Sequence, residues 1–286
     1  MTVDGIRETL ASIGIVTDGD VELLAERTRD REVPVYRDRT SGVIFIDGHY
    51  VGDEEYESGS YRGPDSISLV DIRDRDRRLE AHQWLFVGRR VVDFGCGRGL
   101  FLAEAAKRAS EVMGVELQAS YRQGLNDQGI PCVRDLAEVP DGVDAIFMFH
   151  VLEHLPQPIE VLREARSKLA RGGAIVIEVP HARDFMLDFL NVEAFRDFTL
   201  WSQHLVLHTR ESLGRMIRFA GYQRVSIVGV QRYGLGNHLH WLRRGSPSGH
   251  ASAFAAIETD ELTRAYSTAL AKADMTDTLV AIAYAD

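Results

Sequence analysis

Cysteine is scarce in this chain, which has two, Cys96 and Cys132, among 286 residues. A small secreted domain held together by disulfides needs a denser set, so the scarcity excludes that class. We expect both residues to be reduced thiols, as in a cytoplasmic protein.

Long apolar runs are also absent. No run approaches the roughly 18 residues that a membrane-spanning helix needs, and the first residues lack the basic and apolar stretches of a secretory signal. The net charge of −10 argues against a nucleic-acid phosphate backbone as the main partner. We therefore expect a cytoplasmic protein that binds neither membrane nor nucleic acid. Its oligomeric state stays open, with a homodimer as one alternative.

The most informative feature present is a glycine-rich turn directly after an apolar strand. It contains Asp93, Gly95, Gly97 and Gly99 at every second position. Glycines let backbone amides approach a ligand closely, and the helix that follows adds partial positive charge at its N-terminus. A nicotinamide-binding turn needs a third glycine where this chain has Leu100, so a dehydrogenase is disfavoured.

Polar side chains follow the next apolar strands. Further strands are predicted at residues 112–115, 130–133, 145–149, 174–179, 225–230 and 278–284. Glu116 ends the first of these, Asp135 follows the second, and His150 opens the loop after the third. A carboxylate at the tip of the second strand of a nucleotide-binding unit can accept both ribose hydroxyl protons. The order of these features predicts one ligand-binding edge.

Together these motifs resemble the class I S-adenosylmethionine-dependent methyltransferases. The resemblance rests on the glycine turn, the acidic strand ends and the Leu-Glu-His loop at residues 152–154, and it covers about residues 90 to 222. It implies an α/β fold with a Rossmann-like, seven-stranded, mostly parallel sheet, helices on both faces and an antiparallel seventh strand. It also implies an enzyme that transfers a methyl group from S-adenosylmethionine to a small polar acceptor and releases S-adenosylhomocysteine.

The resemblance also assigns cofactor-binding residues. The implied set is Asp93, Gly95, Cys96, Gly97, Glu116, Leu117, Asp135, Leu136 and His150. Asp93 and the glycine turn would hold the methionine end of the cofactor. Glu116 would hold the ribose, and Asp135 would receive the adenine amino group.

Histidines supply the candidate general bases. Methyl transfer needs alignment and a place for the acceptor's proton, and a histidine with its ordinary pKa near neutrality is a suitable base. His154 is the leading candidate because it follows the fourth strand, where ligands bind at the carboxyl end of a parallel sheet. His150, His204 and His208 are the alternatives.

Two additions flank the predicted sheet. Residues 1–88 are expected to form an accessory segment, helical over 9–30 and then a hairpin of 33–37 with 43–46, before the methyltransferase domain at 89–286. Residues 231–277 form an insertion between the sixth and seventh strands, predicted to be a substrate cap. The candidate substrate-binding residues are Tyr61, Arg62, His181, Trp201 and His238.

Histidine spacing leaves a metal site to be weighed. His204 and His208 are four residues apart, and His238 and His240 are two apart, so each pair could share an ion. No His-Glu-x-x-His motif or cysteine pair accompanies them. Sugar C-methyltransferases have zinc-binding cysteines in a comparable hairpin, but this chain has no cysteine before Cys96. We therefore expect no metal, although cation-dependent sugar O-methyltransferases are known.

The sequence leaves several classes of methyl acceptor open. A sugar, a nucleotide-linked sugar or a natural-product intermediate is the leading prediction. One alternative is O- or N-methylation of a phosphorylated, phosphonate or carboxylate metabolite, whose anion would need no base. Another is a protein that binds S-adenosylmethionine without catalysis. Substrate selectivity is expected in the additions to the sheet.

Overall fold

The computed structural model describes residues 5–59 and 67–285. The strands are β1 (Val21–Ala25), β2 (Val35–Asp38), β3 (Ile44–Ile46), β4 (Arg90–Phe94), β5 (Glu111–Val115), β6 (Cys132–Val133), β7 (Val143–Phe149), β8 (Leu169–Pro180), β9 (Val206–Leu207), β10 (Val225–Val230) and β11 (Thr278–Tyr284). The helices are α1 (Ile6–Ser12), α2 (Asp53–Ser58), α3 (Leu69–Phe86), α4 (Leu100–Ala105), α5 (Ala119–Asp127), α6 (Pro158–Lys168), α7 (Glu193–Thr199), α8 (Arg210–Phe219), α9 (Leu235–Arg244) and α10 (Asp260–Ala273).

The main sheet has seven strands in the order β10-β11-β8-β7-β4-β5-β6. β11 is antiparallel to both β8 and β10, and the pairs from β8 to β6 are parallel. This confirms the predicted α/β fold, including the antiparallel seventh strand. The predicted strands were found because strands buried on both faces are continuous apolar runs.

Successive residues of the central strands pack on opposite faces of the sheet. Val91 and Phe147 contact α3 and α4 in one core, whereas Val92 and Met148 pack with α6 and α8 in the other. This alternation follows from the two-residue period of a β-strand. The cores on the two faces hold the carboxyl ends of the parallel strands at one edge.

A second, four-stranded sheet joins the N-terminal segment to the rest of the chain. Its order is β1-β2-β3-β9, with antiparallel pairs throughout. β2 and β3 are the predicted hairpin. β9 lies far along the chain and pairs with β3 through Phe45 and Val206. This pairing places the segment after β1 beside the loop that precedes β9.

The helix expected over residues 9–30 is wrong. α1 ends before Gly14, whose φ of +67° is left-handed, and Val21–Ala25 forms β1 instead. Pairing of Val21 with Asp38 extends the hairpin by a third strand. Tertiary strand pairing here overrides the local helical pattern.

The insertion at residues 231–277 contains α9, two short 3₁₀ turns and α10. α10 matches the helical spacing seen in the sequence. Within the described residues no helix is both long and apolar enough to cross a membrane.

Candidate active site

The glycine turn after β4 forms the floor of the site. Gly95, Gly97 and Gly99 all have positive φ, and a Cβ on Gly95 would lie 2.4 Å from Val151 Cγ2. Glycine is therefore needed at Gly95 for both conformation and space. The turn thus packs closely against Val151, in the loop that follows β7.

Glu116, at the tip of β5, holds this turn in place. Its Oε2 accepts a hydrogen bond from the Gly97 backbone N–H (2.7 Å), and its Oε1 accepts one from the Gln118 N–H (2.8 Å). A carboxylate has about four lone-pair sites, so both oxygens keep capacity for further donors such as hydroxyl groups. The Glu116 side chain also lines a cavity of about 580 Å³ above the turn.

Two cavities meet over this floor. The larger one, of about 580 Å³, is lined on one side by Glu116, Leu117 and Asp135, and on the other by His154 and Trp201. The smaller one, of about 320 Å³, reaches Asp93, Cys96 and Gly97. Both cavities are lined by Gly95, Arg98 and His150. The predicted cofactor residues are thus brought to one continuous edge, with Leu136 as the exception.

Leu136 packs in the core and lines neither cavity. Asp135 Oδ1 accepts the Ala137 N–H (3.0 Å) and begins a short 3₁₀ turn. The turn directs Leu136 inward and leaves Asp135 exposed at the cavity.

Asp93 is a buried carboxyl group facing the smaller cavity, with 3% of its surface exposed. Burial raises the pKa of Asp93 to about 7, against the opposing charge of Arg78. Within residues 5–59 and 67–285, no group donates a hydrogen bond to the Asp93 carboxyl group. A carboxyl group in this state fits the ammonium group of the cofactor's methionine end, which would supply both charge and donors.

A buried ion cluster lies beside Asp93. Glu178 of β8 is fully buried and accepts hydrogen bonds from Arg77 (2.9 Å) and Arg78 (2.5 Å) of α3. Burial alone would raise the pKa of Glu178, but the His150 hydrogen bond and the Arg78 charge hold it well below its ordinary value. Arg78 also lines the smaller cavity.

His150 lies between two carboxylates. Its Nδ1 is 3.1 Å from Glu153 Oε1, and its Nε2 is 3.3 Å from Glu178 Oε1. Burial and the nearby Arg232 lower the pKa of His150, but the hydrogen bonds to Glu153 and Glu178 outweigh them and raise it. Arg232 Nη1 lies 3.2 Å from the same Nε2. Both ring nitrogens of His150 are therefore occupied by protein side chains, so this geometry suits positioning rather than general-base work.

His154 lies on the wall of the larger cavity. Its Nδ1 is 2.8 Å from the Gln203 carbonyl oxygen, so Nδ1 carries the proton and Nε2 carries the lone pair. The Trp201 and His204 rings lie 5.9 and 5.0 Å from its ring. Among the predicted bases, His154 combines access to the cavity with a fixed tautomer.

His204 and His208 are less suited to accept a proton. Burial and the nearby His154 lower the pKa of His204 to about 3. Burial lowers the pKa of His208 to about 4, and its Nδ1 lies 3.1 Å from Ser212 Oγ. Neither residue lines the two cavities.

Members of the two histidine pairs weighed as metal ligands have other hydrogen-bond partners in the structure. His208 bonds to Ser212, and His238 Nδ1 lies 2.7 Å from the Tyr266 hydroxyl. A different group could share a cation, because Glu153, His154 and His204 each have one ligand atom within 4.8 Å of the others. In that group, Glu153 Oε1 already bonds to His150.

Of the predicted substrate-binding residues, Trp201 lines the larger cavity. His181 is buried and its Nδ1 donates to the Thr276 carbonyl (2.9 Å), whereas His238 is buried within the insertion. Neither lines the two cavities. Tyr61 and Arg62 lie outside the described residues. Of the described insertion residues, Arg232 is the one that lines either cavity, and it bonds to Asp74.

Sequence reasoning missed several residues of the site. Those that line the larger cavity are Arg29, Tyr50 and Tyr56, and those that build the ion cluster are Arg77, Arg78, Glu178 and Arg232. One signal was available for Glu178, because a carboxylate inside an apolar strand must be paired. The tyrosines contribute through α2, which brings the Tyr56 hydroxyl to 3.5 Å from His154 Nδ1.

The fold is that of an S-adenosylmethionine-dependent methyltransferase. A sequence model described as "Methyltransferase domain" matches residues 71–227, more than half of the chain, so the chain belongs to that family. The chain is therefore an enzyme whose cofactor is S-adenosylmethionine, and not a protein that binds S-adenosylmethionine without catalysis.

The chain is similar to curated enzymes named ubiquinone biosynthesis O-methyltransferase. The one from Chromobacterium violaceum is 27% identical over 158 residues, which cover 50% of this chain and 68% of that protein. The one from Xanthomonas euvesicatoria is 32% identical over 123 residues, covering 39% and 49%.

Solved structures share the fold. A methyltransferase from Archaeoglobus fulgidus aligns with a TM-score of 0.53 at 22% identity, covering 74% of this chain and 93% of that one. Phosphoethanolamine N-methyltransferase 2 of Haemonchus contortus, solved with S-adenosyl-L-methionine, aligns with a TM-score of 0.52 at 16% identity, covering 84% and 61%.

Proposed function

We propose that this enzyme methylates a hydroxyl oxygen of a small polar acceptor, namely a sugar, a nucleotide-linked sugar or a natural-product intermediate. Oxygen is favoured because the similar curated enzymes are named O-methyltransferases. The aromatic wall of Tyr50, Tyr56 and Trp201 suits the apolar face of a ring, and His154 beside it suits a hydroxyl group.

We assign the cofactor to the edge formed by the glycine turn. Asp93 pairs with its ammonium group, Glu116 accepts from the ribose hydroxyls, and Asp135 accepts from the adenine amino group. The support is the order of these carboxylates at successive strand ends and the absence of a donor to Asp93 in the described part of the chain. When bound, S-adenosylmethionine supplies an electrophilic methyl group on a sulfonium.

The observation that carries the proposal is the hydrogen bond from His154 Nδ1 to the Gln203 carbonyl. It orients the ring and fixes Nε2 as the nitrogen with the lone pair, the atom that we assign to take the acceptor's hydroxyl proton. Glu153 lies beside His154 and stabilises the imidazolium that forms; burial raises the pKa of Glu153, but the His150 hydrogen bond and the charge of His154 lower it to about 2. Tyr56 and Trp201 limit the movement of the ring.

The accessory regions have different roles in this proposal. Within the N-terminal segment, residues 1–88, Arg29, Tyr50 and Tyr56 line the wall of the larger cavity, so we assign this part to acceptor recognition, whereas Arg78 of the same segment lines the smaller cavity. Residues 231–277 supply Arg232 beside the methionine end. A cap role for this insertion over the acceptor stays a prediction, and a cytoplasmic location is the setting we propose.

The proposal is tested by supplying purified enzyme with S-adenosylmethionine and a panel of acceptors. The panel contains nucleotide-linked sugars, free sugars, phenolic natural products and matched amines. We expect S-adenosylhomocysteine to form with a hydroxyl acceptor and the product to carry an O-methyl group by mass spectrometry and NMR. Turnover confined to the amines would contradict oxygen as the methylated atom.

A further inference from the structure

Arg29 presents a positive charge to the wall of the larger cavity. Its guanidinium carbon lies 4.6 Å from the centroid of the Trp201 ring and 5.2 Å from that of Phe198. Nη1 donates to the Phe198 carbonyl oxygen (3.2 Å). The guanidinium therefore rests on an aromatic face, an arrangement that leaves its edge of N–H donors available for a ligand.

The backbone around Arg29 is held by the segment that precedes β9. Asp30 accepts hydrogen bonds from the Ser202 N–H (3.0 Å) and the Ser202 hydroxyl (2.6 Å). The Arg29 N–H donates to the Leu200 carbonyl oxygen (2.8 Å). These bonds flank Trp201, so Arg29 and Trp201 are positioned as one unit.

Arg29 differs from neighbouring arginines in its lack of a carboxylate partner. Arg27 pairs with Glu32, and Arg134, on the same cavity wall, pairs with Glu57. Throughout the part of the chain that the structure describes, no carboxylate lies within ion-pair distance of the Arg29 guanidinium, and the carboxylate of adjacent Asp30 bonds to Ser202. A cation held at the wall of a binding cavity without a carboxylate at ion-pair distance is suited to an anionic ligand.

We propose that Arg29 and Trp201 form a subsite for an anionic group of the acceptor, a carboxylate or a phosphate. The ring of Trp201 supports the guanidinium, whose planar fork of donors matches two oxygens of either group. This inference rests on the proposed function and narrows it: the acceptor carries a negative charge in addition to the methylated atom. A nucleotide-linked sugar and an acidic natural product both meet this requirement.

The test is isothermal titration of the full-length enzyme, saturated with S-adenosylhomocysteine, with uridine diphosphate, inorganic phosphate and benzoate. We expect at least one probe to bind saturably, and Arg29→Gln to weaken it by about tenfold or more. Arg29→Lys should weaken it less, because the charge is kept and the fork is lost. Arg27→Gln is the matched control and should bind like wild type. The phosphate and benzoate arms distinguish the two sources of negative charge.

The proposal is overturned if no probe binds wild type at up to about 20 mM, or if Arg27→Gln loses as much affinity as Arg29→Gln. The same titrations without S-adenosylhomocysteine separate this inference from the proposed function. Arg29-dependent binding of a probe in a protein that does not bind S-adenosylhomocysteine would uphold the subsite and contradict the assigned cofactor site.

Discussion

The carboxylate of Glu178 and the imidazole of His150 lie 3.3 Å apart, from Oε1 to Nε2, where β7 and β8 end. Their backbones are joined as well, because the His150 N–H donates to the Glu178 carbonyl oxygen (2.8 Å). His150 has a φ of +58°, which is uncommon for a residue with a side chain. The ion cluster around Glu178 therefore holds the start of the loop that carries His154.

Glu178→Gln should destabilise the protein strongly. The substitution removes the buried counter-ion of Arg78 and one of the two carboxylate partners of Arg77, which also pairs with Asp74, and breaking one partner of a buried ion pair costs about 3–5 kcal/mol. Denaturant unfolding of the variant measures the loss. Glu164→Gln on the exposed face of α6 is the control and should change the free energy of unfolding by less than about 0.5 kcal/mol. Equal stability of both variants would show that the cluster contributes little.

Cofactor affinity should depend on pH through Asp93. Burial raises the pKa of Asp93 to about 7, and the ionised carboxylate is the form that pairs with an ammonium group. Below pH 7 the carboxyl group must first lose its proton, so affinity for S-adenosylhomocysteine should fall by up to about tenfold per pH unit and level off above pH 7. Titrations between pH 5.5 and 8.5 check this. Asp93→Asn should bind weakly and flatten the profile; a flat profile in wild type would remove Asp93 from the ammonium site.

Glu116→Ala should weaken S-adenosylhomocysteine binding by about 1–3 kcal/mol. The substitution removes the acceptor assigned to the ribose hydroxyls and also frees the Gly97 N–H, which loosens the glycine turn. Isothermal titration measures the change. Glu111→Ala, at the exposed start of the same strand, should bind like wild type. Unchanged affinity in the Glu116 variant would remove that residue from the cofactor site.

Chelation should leave the rate unchanged. Glu153, His154 and His204 could share a cation, but Glu153 already bonds to His150 and the His154 Nδ1 donates to Gln203. The methyltransferase assay is run after dialysis against EDTA and again with Mg²⁺, Mn²⁺ or Zn²⁺ added back. Loss of turnover restored by one of these ions would instead assign a metal to this group.

The main sheet could be predicted because its central strands are short apolar runs bounded by turn residues, as in the stretch ending at Phe149. β1 was missed because its partner strand, and not its own pattern, decides its conformation. The same distinction holds in the site. Asp93 lies near the end of β4 and Glu116 directly follows β5, so their place at this edge of the sheet could be predicted from local pattern.

The ion cluster around Glu178 and the position of Arg29 at the cavity wall could not be predicted from local sequence patterns. Arg78 meets Glu178 across about a hundred residues, and Arg29 meets Trp201 across the second sheet. Such pairs form only when α3 packs on β8 and when β9 joins β3. The place of His154 after the fourth strand of the predicted sheet is local and could be predicted, whereas the orientation of its ring depends on Gln203, a distant residue.

The most direct test of the account is the activity of His154→Ala with an acceptor found in the panel. His154 is assigned as the base that takes the hydroxyl proton, so kcat should fall by about 10²–10⁴-fold while affinity for S-adenosylhomocysteine stays unchanged, and the acidic limb of the pH–rate profile should disappear. His250→Ala, at an exposed position of the insertion, should keep wild-type kcat. A wild-type kcat in His154→Ala, or a change confined to KM, would contradict the assigned role.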